Sequence, residues 1–192
     1  YACRACQSRE ELLALEPRYM VEAATPQALQ EHAIPFLGAG CSVICLSMGA
    51  LYDQKFYDAA APAARAGGSK LYLASGVLGG FDLAATLSMM GKLKGTLIKY
   101  KYPNDSGRCP PALMELPDQF EGSAREGYQL SPAHLNVAVA AALACGGLDQ
   151  TRLRIEPITD EPSDSFGLDL EGEFAGAAVR IRQGGFGGPS QG

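Results

Sequence analysis

The sequence predicts an α/β protein: a partial, Rossmann-like parallel sheet followed by an α+β domain with a mixed, mainly antiparallel sheet. Three observations support this prediction. Strand-like and helix-like segments alternate up to residue 73, the segment at 41–47 is apolar almost throughout, and residues 166–174 instead alternate apolar and polar side chains. Continuous apolar strands are typical of parallel sheets covered on both faces, whereas alternation is typical of antiparallel sheets with one buried face.

The composition is that of a globular chain with a sizeable core. The chain has 192 residues, of which 47% are hydrophobic and 19% are charged, enough for one or two domains. A formal net charge of −5 gives no electrostatic reason to expect a nucleic acid or a membrane as partner. The first residues, from Tyr1, have the pattern of the end of a strand, so we expect a further N-terminal segment in the complete protein.

The cysteines favour core packing over chemistry. Cys3 and Cys6 form a C-x-x-C pair, which is found in zinc knuckles and redox sites, but no second pair or histidine lies at knuckle spacing. Small residues at the end of a strand are the simpler interpretation, and no metal site is expected. Cys41 and Cys45 fall in an apolar strand. Six cysteines without the spacing of a disulfide framework favour a reduced, cytoplasmic protein.

The first half of the chain follows a strand–helix alternation. Residues 18–24 predict a strand, after which Thr25 as N-cap and Pro26 at the first helical position begin a helix. This helix should end near Ile34, because Pro35 disfavours helical backbone in the residue before it. The further predicted elements are a buried strand at 41–47, a tight turn at 47–50, a helix at about 53–65 and a strand at 70–73.

The pattern changes near residue 74, which predicts a nucleotide-binding domain at 1–74 and a catalytic and dimerisation domain at 75–192. The glycine-rich segment at 74–80 is either a ligand-binding turn or a simple turn. The strand at 92–102 places Lys99 and Lys101 on one face, where they either bind a ligand or form a solvated sheet edge. The remaining predicted elements are a helix at 81–90, a loop at 104–118 and strands at 152–159, 166–174 and 177–182.

The second half is organised around the segment 120–145. A polar turn at 131–134 leads into an apolar helix, which ends at Gly146-Gly147. Asn136 is the only polar side chain between residues 135 and 145. A polar amide in this position either caps the helix or faces a cavity.

Six segments together resemble the aspartate dehydrogenase family. In chain order they are VEAATPQALQEHA, LSMGAL, ASGVLGGFD, FEGSAREG, LNVAVAAALA and LEGEFAG, and they extend over most of the chain. The resemblance implies a Rossmann domain followed by an α+β domain that completes the active site and forms a homodimer. It also implies NAD or NADP as cofactor, a small amino acid as substrate, oxidation of L-aspartate to iminoaspartate, and a place in NAD biosynthesis.

The resemblance implies a set of cofactor-binding residues. These are Ala24, Ser47, Gly49, Ala50, Val77 and Asn136. Val77 replaces an alanine that is common in the family. Arg4 lies where an acidic residue would bind the adenosine ribose, and an arginine there favours the 2′-phosphate of NADP. A glycine-rich phosphate loop before residue 1 and a helix after the last strand are expected in the complete protein.

The resemblance also implies a catalytic difference. Family members carry an Asn-x-His motif where this chain reads Asp164-Ser165-Phe166, and a phenyl ring cannot exchange protons. His134, near Asn136, is the predicted substitute, unless it is an exposed turn residue.

Two further side-chain roles are predicted. Asp164 is an alternative base, within an acidic group (Asp160, Glu161) that is otherwise a solvated loop. Lys101, or Lys99, is expected to hold a substrate carboxylate, and His32 is expected to be structural. A non-catalytic nucleotide-binding relative, or a dehydrogenase for a different small amino or hydroxy acid, remain alternatives.

Overall fold

The computed structural model describes residues 4–74, 76, 78–159 and 164–182. The chain divides into two compact units, and the division falls between residues 75 and 76. Within the described ranges, no helix is long and apolar enough to cross a membrane.

The first unit is a three-stranded parallel sheet with its connecting helices. A short helix, α1 (Arg9–Leu13), precedes the sheet, and the strand order is β1-β2-β3. Both strand pairs are parallel, as predicted for this half of the chain. The elements are β1 (Tyr19–Glu22), α2 (Pro26–Gly38), β2 (Ser42–Cys45), α3 (Gln54–Gly67) and β3 (Leu71–Leu73). The register pairs Glu22 with Cys45 and Cys45 with Leu73, so the three carboxyl ends lie at one edge of the sheet.

Helix α2 begins as predicted and ends later than predicted. The Thr25 hydroxyl accepts a hydrogen bond from the Ala28 N–H at 3.2 Å, and Pro26 is in the first turn. The predicted end near Ile34 is wrong, because α2 continues through Pro35 to Gly38. Proline this close to the end removes one backbone hydrogen bond. Burial of the next two side chains, Phe36 and Leu37, offsets that loss.

The segment predicted as a tight turn after β2 is a short 3₁₀ helix, Met48–Tyr52. It leads directly into α3, whose N-cap is Asp53. The Asp53 carboxylate accepts hydrogen bonds from the N–H groups of Lys55 and Phe56. The helix ends at a left-handed glycine, Gly68, with φ of 63°.

The second unit is built on a five-stranded sheet with the order β5-β6-β4-β7-β8. Strand β4 is central: it pairs parallel with β6 and antiparallel with β7. The other two pairs are antiparallel, which confirms the predicted mixed, mainly antiparallel sheet. The elements are α4 (Phe81–Met90), β4 (Leu93–Lys101), β5 (Phe120–Ser123), α5 (Ala124–Leu130), α6 (Asn136–Cys145), β6 (Arg152–Pro157), β7 (Asp164–Gly172) and β8 (Gly176–Arg182).

Helices α4 and α6 pack on one face of this sheet and enclose its core. The alternation in β7 is confirmed, since Phe166, Leu168 and Leu170 are all buried in that core. Ser123 begins α5 with a capping box that includes Glu126. Helix α6 ends at Gly146, which has φ of 108°.

The tightest packing between β4 and α6 is at Gly95. A Cβ atom built at this position would lie 2.5 Å from Cys145 Sγ, which is closer than carbon and sulfur can approach. The absence of a side chain at residue 95 therefore allows α6 to lie against the central strand.

We expect Gly95→Ala to lower the free energy of unfolding by about 1–3 kcal/mol, because the strand and helix must separate to admit a methyl group. Gly79→Ala is the matched control, since a Cβ at Gly79 meets nothing within 4 Å. Urea unfolding measures both variants. Equal stability of the two would contradict the close packing.

Candidate functional site

In the first unit, the Glu22 carboxylate connects the turns that follow β1 and β2. Its Oε1 accepts hydrogen bonds from the Ala24 N–H at 2.7 Å and the Ser47 hydroxyl at 2.8 Å, and its Oε2 accepts from the Ser47 N–H at 3.1 Å. Glu22 is buried. These bonds fix the two turns at the carboxyl edge of the parallel sheet, where open α/β sheets bind their ligands.

The predicted residues of this edge come together around Glu22. Ala24 and Ser47 bind its carboxylate, and the small residues Gly49 and Ala50 follow in the buried 3₁₀ helix. The Ala50 carbonyl is held from α2 by the Gln30 side-chain amide at 3.1 Å. Small residues beside fixed backbone let a ligand approach the main chain closely.

Sequence analysis did not single out Glu22 as a candidate. The available signal was a single carboxylate at the end of an otherwise uncharged strand segment, MVEAA. Burial, and in addition the negative charge of Glu22, raise the pKa of the Cys45 thiol to about 12. Cys45 is therefore an unreactive core residue, in agreement with the prediction for it.

The other predicted cofactor-binding residues, Arg4, Val77 and Asn136, lie in three separate parts of the sequence. Arg4 is exposed and lies outside the strands. Val77 lies outside the described residues. Asn136 is the first residue of α6, and the N-cap position belongs to Leu135, whose side chain makes no capping bond. Asn136 is half-buried, and it lies where the polar turn at 131–134 enters the apolar helix α6.

In the second unit, Lys101 has a different role from the predicted one. Its ammonium group is fully buried, with a side-chain exposure of 0%. The group donates to Asn104 Oδ1 at 2.8 Å, to the Leu116 carbonyl at 3.0 Å and to Asp118 Oδ1 at 2.9 Å. Because an ammonium has three N–H donors, none is left for a substrate carboxylate. The interpretation of these lysines as a solvated edge is also wrong, since β4 is the central strand.

Lys101 instead fastens the loop that follows β4. The Asn104 N–H donates to Asp118 Oδ1 at 2.8 Å, which closes the loop on itself. The hydrogen bond from Lys101, and then that from the Asn104 backbone, hold the pKa of the Asp118 carboxyl below its ordinary value. The side chain of Leu116, between these contacts, is completely buried in the sheet core. The loop at 104–118 is therefore held in place by a cation beneath it.

The fastened loop brings Glu115 against His134. The distance from Glu115 Oε1 to His134 Nε2 is 3.7 Å, and the hydroxyl of the buried Ser131 donates to the same carboxylate oxygen. The His134 N–H and the Leu135 N–H both donate to the Ser131 carbonyl, which shapes the turn before α6. The His134 side chain is 32% exposed. A partly exposed imidazole with a carboxylate nearby is a candidate acid/base group.

Lys99 and Phe166 are direct cross-strand partners at the centre of the sheet. The Lys99 ammonium lies 4.1 Å from the centre of the Phe166 ring. Burial lowers the pKa of Lys99. The position at which the resemblance implies a histidine is therefore occupied by a buried aromatic ring with a cation over its face.

For the remaining acidic candidates, the structure describes no side-chain positions. Asp164 begins β7, and its backbone pairs with Arg182, but its side chain lies outside the described part of the chain. Asp160 and Glu161 lie outside it entirely. No cluster of metal-ligating side chains occurs among the residues that the structure describes.

Two families match consecutive parts of the chain. Residues 2–74 match the family described as homoserine dehydrogenase, NAD binding domain. Residues 84–185 match the family described as aspartate dehydrogenase, C-terminal. The chain belongs to the aspartate dehydrogenase family. The first match also confirms the predicted class of cofactor, NAD or NADP.

Individual members of the family align over most of the chain. The L-aspartate dehydrogenase of Ruegeria pomeroyi is 35% identical, in an alignment that covers 85% of this chain and 62% of that protein. The L-aspartate dehydrogenase of Pseudomonas aeruginosa is 30% identical, over 86% of this chain and 65% of that protein. L-aspartate dehydrogenase 1 of Bordetella pertussis is 32% identical, over 91% and 68%. The chain thus spans about two thirds of the length of these relatives.

A solved structure agrees with the fold. The aspartate dehydrogenase from Thermotoga maritima superposes with a TM-score of 0.65 at 22% identity, covering 85% of this chain and 67% of that chain. At this identity the likeness concerns the fold alone, and it confirms the predicted class of architecture.

We expect Lys101→Met to lower the free energy of unfolding by about 1–3 kcal/mol, because the Leu116 carbonyl and the Asn104 amide lose their buried donor. Lys94→Met, an exposed lysine of the same strand, is the control and should change stability by less than about 0.5 kcal/mol. Urea unfolding compares them. If Lys101→Met were as stable as the control, the ammonium would not be holding the loop.

Proposed function

We propose that the protein containing this chain is an NAD(P)-dependent dehydrogenase that oxidises L-aspartate to iminoaspartate. The observation that carries the proposal is the order of the two family matches, an NAD-binding domain at 2–74 and an aspartate dehydrogenase C-terminal domain at 84–185. The L-aspartate dehydrogenases of Ruegeria pomeroyi and Pseudomonas aeruginosa support the choice of substrate. On this proposal residues 1–74 bind the nucleotide, and residues 75–192 supply the substrate site.

The residues at the carboxyl edge of the first unit fit a dinucleotide. Glu22 fixes the backbone of Ala24 and Ser47, and Gly49 and Ala50 offer no side chain that would block a ligand. The bound nicotinamide would supply the hydride acceptor. Val77 and Asn136 complete the proposed set. Arg4, which is exposed, is available for the 2′-phosphate of NADP.

The reaction needs one proton acceptor from the protein. Oxidation removes a hydride from Cα and a proton from the amino group of L-aspartate, and the nitrogen lone pair forms the C=N bond. We assign the proton to His134, which is partly exposed and whose Nε2 lies 3.7 Å from Glu115 Oε1. The side chain of Asp164 is the alternative acceptor. Since Phe166 cannot take this role, the acid/base group differs in position from the one that the resemblance implies.

The proposal includes a homodimer formed through the second unit, a cytoplasmic location and a place in NAD biosynthesis. The thiols support a reduced compartment: Cys6, Cys41, Cys45, Cys109 and Cys145 are all free. Burial raises the pKa of the Cys41 thiol, and that of Cys145 to about 11, so these thiols resist oxidation.

We expect the full-length protein to form NADH or NADPH from L-aspartate, and His134→Gln to lower kcat by about 10²–10⁴-fold, as for loss of a general base. Absorbance of the reduced nicotinamide measures the rate. His32→Gln changes the other histidine, in α2, and should leave kcat within about threefold of the wild-type value. Equal rates for the two variants would remove His134 from the mechanism.

A second candidate is a relative that binds the nucleotide without catalysis, and the buried Phe166 favours it. Phe166→His distinguishes the two. On the first proposal the wild-type protein oxidises L-aspartate, and this substitution changes kcat by less than about tenfold, because His134 already accepts the proton. On the second, the wild type binds NAD(P)H but oxidises none of a panel of amino and hydroxy acids. Activity that appears only in Phe166→His would establish the second candidate.

A further inference from the structure

Two lysines on the same face of β4 have opposite surroundings. Lys101 donates to three acceptors. Lys99, two residues earlier, is 8% exposed, and its ammonium lies over the Phe166 ring, 4.1 Å from the ring centre. No hydrogen bond or ion pair to Lys99 occurs within the residues that the structure describes.

The residues directly opposite Lys99 on the neighbouring strands are not anions. Its cross-strand partners are Ile155 on β6 and Phe166 on β7, and both are buried and apolar. Side chains that are paired across strands lie on the same face of the sheet. Leu97, two residues before Lys99 on the same face, is fully buried as well. The Lys99 side chain thus has apolar neighbours on β6, on β7 and at residue 97 of its own strand.

An ammonium that loses part of its hydration is destabilised, and a single cation–π contact compensates for only part of that loss. The lowered pKa of Lys99 has this physical cause, desolvation. Such a group can bind an anion, because a carboxylate would accept hydrogen bonds from the ammonium and supply a negative charge beside it. Lys101 shows that the fold satisfies a buried ammonium fully where its role is structural.

We propose that Lys99 is the group that binds a carboxylate of the substrate, held for this purpose over the face of the Phe166 ring. The inference rests on the proposed function for its substrate class, a small dicarboxylic amino acid. It selects Lys99 from the two lysines, Lys101 or Lys99, that were expected to hold the carboxylate. It also gives Phe166 a positive role, since the ring that cannot exchange protons can orient a cation.

The test is binding of succinate, a dicarboxylate with no amino group to oxidise, measured by calorimetry on the full-length protein with and without NAD⁺. Lys99→Met keeps the length of the side chain and removes the charge. We expect it to weaken succinate binding at least tenfold. Lys94→Met, from the exposed part of the same strand, should bind succinate as the wild type does. Unchanged affinity in Lys99→Met, or no succinate binding by the wild type, would overturn the inference.

Stability separates this role from a structural one. Because Lys99→Met removes a charge that burial disfavours, we expect its urea midpoint to equal or exceed that of the wild type. A large loss of stability in Lys99→Met would show that Lys99 supports the fold and would contradict the proposal. Lys99→Arg, which keeps the charge, should retain measurable succinate binding.

Two further measurements separate the possible failures. NADH binding, followed by its fluorescence, should be unchanged in Lys99→Met, and loss of NADH binding with succinate binding intact would assign Lys99 to the cofactor and overturn the proposal. With L-aspartate, KM should rise at least tenfold and kcat should change less. If the wild type binds succinate through Lys99 but oxidises no amino acid, the carboxylate site stands and the proposed activity fails.

Discussion

The buried ammonium of Lys101 is the contact on which the arrangement of the second unit most depends. It lies on the central strand and draws Asn104, Leu116 and Asp118 onto the sheet. The loop so fixed presents Glu115 to His134 and Ser131 at the start of α6. The buried charge of Lys101 therefore determines where the Glu115–His134 pair forms. Lys101 bonds to Asn104, Leu116 and Asp118 and acts on that pair through the loop.

The contrast between Lys101 and Lys99 separates folding from function. A buried charge is tolerated when the protein supplies all its partners, and it is costly when the partners are missing. Lys101 satisfies the first condition. Lys99, which lies between Ile155 and Phe166, has no hydrogen-bond or ion-pair partner among the described residues. Stability that is given up at one position is typical of groups kept for ligand binding, and the proposed role of Lys99 would give the replacement of a histidine by Phe166 a physical explanation.

Local chemistry was enough to predict much of the fold. The caps at Thr25 and Pro26, the parallel β-α-β order and the alternation in β7 all depend on residues close in sequence. The end of α2 was misjudged because the helix continues past Pro35 to bury Phe36 and Leu37, a tertiary effect that a local rule does not contain.

The site was less predictable, because its contacts are far apart in sequence. Alternation placed Lys99 and Lys101 on one face, but it could not reveal that β4 is central or that the 104–118 loop binds Lys101. The partnership of Glu22 with Ser47 joins the end of β1 to the turn after β2, and only the register of the sheet brings them together. His134 is a partly exposed turn residue, yet nothing in its own segment indicated Glu115 as its neighbour.

The most direct test of this account is an experimental structure of the full-length protein with NAD⁺ and succinate bound. The account predicts a succinate carboxylate oxygen within about 3 Å of Lys99 Nζ. It also predicts that Lys101 still contacts Asn104, Leu116 and Asp118. A succinate bound away from Lys99, or a Lys101 released from its loop to meet the ligand, would contradict it.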